Sequence, residues 1–155
     1  VAFREPWQSE SCLTLWISPD AVTVTSDSLS IVLVYEARCP ISGYWSVFAH
    51  LSEQRRETCI VGDTSHIVSQ EDTMPDGGKV PFPALAAGSV LEDTLTIPLP
   101  QEMTFTSSMH LQIGLYDAGG SFIRAFVDPE KSHFTDEVTV GDCAPELVNI
   151  ALHLP

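Results

Sequence analysis

The chain has 155 residues and a formal net charge of −14, from 21 acidic and 7 basic side chains. A field of that sign repels nucleic-acid phosphates and anionic lipid headgroups, so neither is a predicted partner. Apolar residues make up 44% of the sequence, enough for one core, and their runs are far shorter than the roughly 20 residues of a membrane helix. The sequence therefore predicts one globular domain over 1–155, with no direct membrane insertion by this chain.

The first predicted strands lie in the N-terminal third. Residues 13–17 combine β-branched, aromatic and apolar side chains, and Pro19 with Asp20 then predicts a break. Residues 21–25 alternate apolar and hydroxyl side chains, as a half-buried strand does. The more continuous apolar run at 29–35 predicts a central strand that is buried on both faces.

The middle of the chain alternates between strand and turn signals. Residues 45–51 place Trp45, Val47, Ala49 and Leu51 on one face of a strand, and 58–61 predict the strand that returns after a polar tip. Residues 69–90 contain a Pro-Asp-Gly-Gly turn and two further prolines, which predict a long loop. Long loops are frequent locations of binding sites.

Strand patterns return in the C-terminal half. An Asp-Ala-Gly-Gly sequence at 117–120 predicts a tight hairpin connection, and no stretch shows helical periodicity over three turns. The last strand carries several large apolar side chains and is expected to be integral to the fold. About nine strands predict an all-β, antiparallel two-sheet β-sandwich, Ig-like or jelly-roll-like. The later strands are predicted at 93–97, 109–116, 122–127, 137–140 and 147–154.

The four cysteines, Cys12, Cys39, Cys59 and Cys143, are widely spaced and include no C-x-x-C pair. An even number favours two disulfides in an oxidising, extracytoplasmic compartment; the alternative is four buried thiols in a cytosolic protein. Cys39 closes the turn into one predicted strand and Cys59 lies on the strand returning beside it, so we predict a 39–59 bridge. Cys12 would then pair with Cys143 and tie both ends of the domain.

Candidate ligand-binding residues come from aromatic and acidic side chains at or beside predicted loops. Sugars stack their C–H faces on aromatic rings and hydrogen-bond to planar polar groups. Core packing is the favoured alternative for Trp16 and Trp45 and an equal alternative for Trp7 and Phe82, and a place in the core or an interface explains His50. The candidates for ligand binding are Trp7, Tyr44, Trp45, Phe82 and Asp76.

The chain offers no recognisable catalytic or metal motif. No Gly-x-Ser-x-Gly elbow is present, and Asp63 with His66 fits a turn-stabilising pair better than a metal site. Acidic residues cluster at several loops, but no D-x-D-x-D-G calcium loop occurs. We therefore predict no enzyme activity and no cofactor, and leave a structural calcium ion open.

Three segments resemble an accessory β-sandwich domain found at the extracytoplasmic C-terminus of some prokaryotic membrane glycosyltransferases and beside carbohydrate-active enzymes. Residues 44–51 resemble its Y-x-V-F-V-H-L strand and 111–117 its L-x-V-G-L-Y-D strand. Residues 88–100 resemble its W-x-x-G-x-x-x-x-D-x-x-x-I-x-L-P segment, except that the tryptophan is replaced around Phe82 to Leu85. Asp63, Pro75 and Gly78 fall at its D-x-x-P-x-x-G loop. The resemblance implies an Ig-like sandwich in a sugar-handling setting, with chemistry performed by other parts of the protein.

Two functions are consistent with these patterns. The first is a non-catalytic extracytoplasmic binding module whose partner is a glycan or a cell-surface protein. The alternative is a self-assembling structural subunit that uses strand exchange or sheet-edge contacts, because Ile150, Leu152 and Leu154 share one face of the last strand.

Overall fold

The alternating segments form strands in a computed structural model that describes residues 1–4, 11–53, 66–106, 109–120, 125–134, 138–141 and 144–152. Within these ranges the only helical elements are short 3-10 turns, at Pro75–Gly78, Phe82–Ala84 and Pro129–Lys131. The ten strands are β1 (Ala2–Arg4), β2 (Leu13–Val24), β3 (Ser28–Ala37), β4 (Trp45–Ser52), β5 (Ile67–Thr73), β6 (Val90–Pro98), β7 (His110–Asp117), β8 (Phe126–Asp128), β9 (Val138–Gly141) and β10 (Ala144–Ala151).

The strands form two five-stranded sheets, which confirms the predicted all-β, two-sheet architecture. The first sheet has the order β6-β3-β2-β1-β8 and the second the order β5-β4-β7-β10-β9. Each pair of described neighbours is antiparallel. Inward-facing side chains of both sheets join one hydrophobic cluster, which places the core between the sheets.

Strand β3 shows how its sequence defines two faces. Leu29, Ile31, Leu33, Tyr35 and Ala37 are buried, and every intervening residue is only partly buried. The expectation of a strand buried on both faces was therefore wrong. β3 has neighbours on both sides, but its sheet has the core on one face only, as is usual for an antiparallel sandwich.

Three connections differ from expectation. Pro19 does not end a strand, because β2 runs from 13 to 24 with an irregular register between Ile17 and Val22. Residues 67–73 form the edge strand β5, so the predicted long loop begins only at 74. The connection after 118–120 leads to the other sheet, because β8 pairs with β1, so β7 and β8 do not form the predicted hairpin with each other. The Ala125 N–H still donates to the Leu115 carbonyl at 3.0 Å, and residues 121–124 lie outside the described ranges. Local turn chemistry does not specify which strand the chain pairs with next.

The last strand is integral to its own sheet, as predicted. β10 pairs with β7 on one side and β9 on the other. Val148, Ile150 and Leu152 are buried in the core, whereas Leu154 and the predicted strand at 58–61 lie outside the described residues. Pairing on both sides within one chain gives no support to donation of this strand to a neighbour.

The disulfide pairing is a correction to the sequence prediction. Cys12 bonds to Cys39, with Cα atoms 4.8 Å apart, so neither the 39–59 nor the 12–143 bridge forms. The register explains the pairing, because Leu13 lies opposite Ala37 and brings the residues just beyond both strand ends together. The Arg38 N–H also donates to the Cys12 carbonyl at 2.8 Å. Cys59 and Cys143 lie outside the described residues.

Candidate binding face

The outer face of the first sheet is built by every second residue of β2, β3 and β6. Directly paired residues of an antiparallel sheet point to the same side. Thr14, Glu36 and Val90 therefore form one row, and Trp16, Val34 and Glu92 form the next row. We call the set Trp16, Val34, Glu36, Val90 and Glu92 the Trp16 patch.

Trp16 dominates this patch. Its side chain lies on the solvent side of β2, and the residue is 49% exposed. The indole Nε1–H donates a hydrogen bond to Glu36 Oε2 at 3.3 Å, which restrains the ring against the sheet. The sequence interpretation of Trp16 as a core residue was wrong. The alternation along the strand indicated the correct side: Trp16 points to the same side as Thr14, opposite to Leu13 and Leu15.

The carboxylates of the patch differ in their surroundings. Glu36 accepts from Trp16 and lies 3.6 Å from the Arg38 guanidinium. Glu92 is exposed and makes no hydrogen bond or ion pair with any residue that the structure describes. Val90, 64% exposed, adds apolar surface beside Glu36. The patch thus combines an aromatic ring, two valines, one engaged carboxylate and one unengaged carboxylate.

Hydroxyl groups continue the same face beyond the patch. Ser30 and Thr96 lie opposite each other, and their hydroxyl oxygens are 2.9 Å apart. Thr94 and Thr23 point to the same side and are exposed. The outer face of the first sheet therefore changes from aromatic and acidic at one end to a ladder of hydroxyls at the other. Both halves can hydrogen-bond to a ligand that lies across the strands.

Four of the five predicted ligand-binding residues lie toward one end of the sandwich, and Trp7 lies outside the described residues. Glu36 pairs with Val90, and Trp45 pairs with Asp117, so the connections 38–44, 74–89 and 118–120 share that end. A hydrogen bond from the Ser69 hydroxyl to the Pro98 carbonyl joins the two sheets at the opposite end. The topology thus groups Tyr44, Trp45, Asp76 and Phe82.

Burial removes two of these candidates from the surface. Phe82 is fully buried and packs edge-to-face on Tyr35, with ring centroids 5.3 Å apart. Trp45 is 2% exposed and faces the core, and a Cβ at Gly43 would overlap its indole. Both ligand-binding predictions were wrong, because the apolar rings close the end of the core. The alternative interpretation of Trp45 and Phe82 as core residues was correct.

Tyr44 and Asp76 remain at the surface. Tyr44 is 58% exposed, while its backbone carbonyl accepts a hydrogen bond from Ala118 at 2.7 Å. Asp76 has a positive φ of 52° and lies 3.4 Å from Lys79 Nζ. Its N–H donates to Asp93 Oδ2 at 3.0 Å. That bond helps to hold Asp76 in the left-handed region, and the next two residues, both glycines, also have positive φ. Asp76 therefore has a structural explanation in the turn.

The outer face of the second sheet is different. Phe48, Gln112 and Asn149 point away from the core but are at most 3% exposed. Gln112 Nε2 donates to Asn149 Oδ1 at 3.1 Å, and the buried Asn149 Nδ2 group has no hydrogen-bond partner in the described part of the chain. His50 is half-buried with its ring centroid 4.9 Å from that of Phe48. This face offers no exposed aromatic platform among its described residues.

Metal ligation receives no support from the described ranges. No three histidine, cysteine or acidic side chains in that part of the chain lie together as a candidate metal site. His66 lies next to the end of β4, because its carbonyl accepts a hydrogen bond from the Glu53 N–H at 3.1 Å. Asp63, its predicted partner, lies outside the described ranges.

No protein-family model matches the sequence, and no curated protein matches it either. Among solved structures, the chain is similar to the ligand-binding region of Serine-glutamate repeat protein A of Enterococcus faecium. The identity is 14% and the TM-score 0.41, over 68% of this chain and 82% of that chain. Among the described residues, no helix has the length and apolar character needed to cross a membrane.

Proposed function

We propose that this chain is a non-catalytic, extracytoplasmic module that binds glycans through the Trp16 patch. The observation that carries the proposal is the exposed Trp16 indole, which a hydrogen bond to Glu36 restrains on an open sheet face. A sugar ring can stack its C–H groups on such a ring, and neighbouring carboxylates and hydroxyls can accept its hydroxyl protons.

The Cys12–Cys39 disulfide supports the location, because structural disulfides form and persist mainly in oxidising compartments. The resemblance to an accessory domain of sugar-handling proteins supports the ligand class. Binding is also the activity that an open sheet face favours. Catalytic sites are usually concave and exclude water. The exposed Trp16 side chain on β2 leaves this surface in contact with water.

A glycan array followed by titration calorimetry tests the proposal. We expect Trp16→Ala to weaken binding of the retained glycan about tenfold, a loss of about 1.4 kcal/mol. Tyr44→Ala is the comparison variant, because Tyr44 is the competing exposed aromatic candidate and lies in a connection between strands rather than on this face. We expect it to bind normally. Retention of no glycan by the unaltered chain, or a loss caused by Tyr44→Ala alone, would contradict the proposal.

The alternative function, assembly through sheet edges, has weaker support. The nine-residue strand β6 is an edge of the first sheet. It carries Asp93, which lies opposite the buried Leu33 and so points inward, and it ends at Pro98. Inward-pointing charges and proline are features that discourage edge-to-edge pairing. Light scattering across a range of concentrations would detect such assembly directly.

A further inference from the structure

The two carboxylates of the Trp16 patch flank its apolar centre. Glu92 shares a row with Trp16 and Val34, on three adjacent strands. Strands are spaced by about 4.8 Å, so the backbones of Trp16 and Glu92 are about 10 Å apart. Glu36 lies one row above, on the middle strand. A ligand that stacks on the indole can therefore reach both carboxylates with its substituents.

The charge of this region is incompletely balanced. Arg38 approaches Glu36 at 3.6 Å, while Glu92 contacts no cation among the described residues. The chain as a whole carries −14. A negative field of this size attracts cationic ligands and repels anionic ones. A cation above the exposed indole face gains a further cation–π attraction, worth about 0.5–1 kcal/mol at exposed sites.

We propose that the ligand of the Trp16 patch is a glycan that carries free amino groups, such as a polymer of unacetylated hexosamine. The inference rests on the proposed glycan-binding function and names the ligand class for that same site. The sugar ring stacks on Trp16, and its protonated amine lies between Glu36 and Glu92. Acidic glycans are disfavoured at this surface.

A sugar fits this face better than a basic peptide does. Peptides that add to β-sheets usually pair along an edge through their backbones, whereas this patch consists of side chains on the outer face of three adjacent strands. The hydroxyls of Ser30, Thr94 and Thr96 extend the same face and match the hydroxyl-rich edge of a longer oligosaccharide.

The test compares two oligomers of equal length, β-linked glucosamine and its fully N-acetylated counterpart, by titration calorimetry. We expect the unaltered chain to bind the glucosamine oligomer about tenfold more tightly at low salt. The preference should shrink as ionic strength rises, because salt screens exposed charges. Glu92→Gln should bring the ratio of the two affinities close to one while preserving binding of the acetylated oligomer. Glu53→Gln, which makes the same charge change at an exposed position after β4, should leave the ratio unchanged.

The outcomes separate the two proposals. If neither oligomer binds, the proposed function fails together with this inference. If both bind equally and Glu92→Gln has no effect, only the preference for amino sugars is overturned. If a lysine-rich peptide binds with the same dependence on Trp16 and Glu92 while the glucosamine oligomer does not, the occupant is a protein segment and the inference is wrong.

Discussion

The outer faces of the two sheets are built by the same alternation of side chains but differ in their exposure to solvent. On the first sheet, the outward positions of β2 and β6 include Trp16 and Val90, which are about half or more exposed. On the second sheet, the outward Phe48, Gln112 and Asn149 are almost completely buried. Strand periodicity therefore identifies the two sides of a strand but not which outward side meets solvent. Only an exposed face can serve as a binding surface, which is why the first sheet carries the proposed site.

The largest expected effect comes from deleting one aromatic ring on each outer face. Phe48→Ala should lower the free energy of unfolding by about 3–5 kcal/mol, because it empties a buried volume beside Tyr116 and His50. Trp16→Ala should lower it by less than about 1 kcal/mol, since half of the residue already contacts water. Urea denaturation of both variants measures the difference. Equal losses would show that the two faces do not differ in the way described.

The disulfide should contribute almost as much, and it strengthens the sheet with the open face. Cys12 and Cys39 are separated by 27 positions, and closing a loop of that size is worth about 3–4 kcal/mol in the chain-entropy model. The double variant Cys12→Ser, Cys39→Ser should lose that stability in thermal unfolding. Peptide mapping without reductant should recover a 12–39 linked pair. A 39–59 or 12–143 peptide would contradict the pairing.

A smaller expected effect concerns the buried Tyr35 hydroxyl, which lies in the core beneath the Trp16 patch. Tyr35 follows Val34 on β3 but faces inward, and its buried hydroxyl has no hydrogen-bond partner among the residues that the structure describes. Burial, with a contribution from Asp93, raises the pKa of Tyr35 above its usual value near 10. The folded chain thus keeps the proton when the unfolded chain loses it, so stability should fall as pH rises above about 10.

Tyr35→Phe should remove both the cost of burying an unpaired hydroxyl and the loss of stability at alkaline pH. We expect it to raise stability by about 1 kcal/mol at neutral pH, because an unsatisfied buried hydroxyl is costly. We also expect a shallower loss of stability at alkaline pH than in the unaltered chain. Thermal unfolding at several pH values measures both effects. An identical alkaline decline in the two proteins would show that Tyr35 ionises freely in the fold.

The smallest effect compares two threonines on the outer face of the first sheet. Thr14 is 4% exposed, and its buried hydroxyl has no hydrogen-bond partner within the described ranges, whereas Thr94 is exposed. Thr14→Val should therefore stabilise the fold by about 0.5–1 kcal/mol. Thr94→Val, the control, should change stability by less than about 0.5 kcal/mol. Destabilisation by Thr14→Val would indicate that its hydroxyl is hydrogen-bonded in solution.

The sequence predicted most strands and which side chains share a face of each strand, because both depend on neighbours along the chain. Alternation in 45–51 correctly separated Trp45 and Val47 from Phe48, and the apolar last strand was correctly assigned to the fold. Each of these inferences uses the two-residue period of an extended backbone. That period fixes the relative directions of side chains before any partner strand is known.

Strand partners, the disulfide and the exposure of each face were decided by tertiary structure. Cys12 meets Cys39 because β2 and β3 pair in a register that the intervening turn alone does not fix. Phe82 lies in a proline-rich connection, yet it is buried because the open end of the core requires an apolar side chain there. Trp16 is exposed and Phe48 is not, although both point away from the core, so exposure depends on what covers each outer face. In each case the outcome depends on contacts between residues distant in sequence, which local composition does not encode.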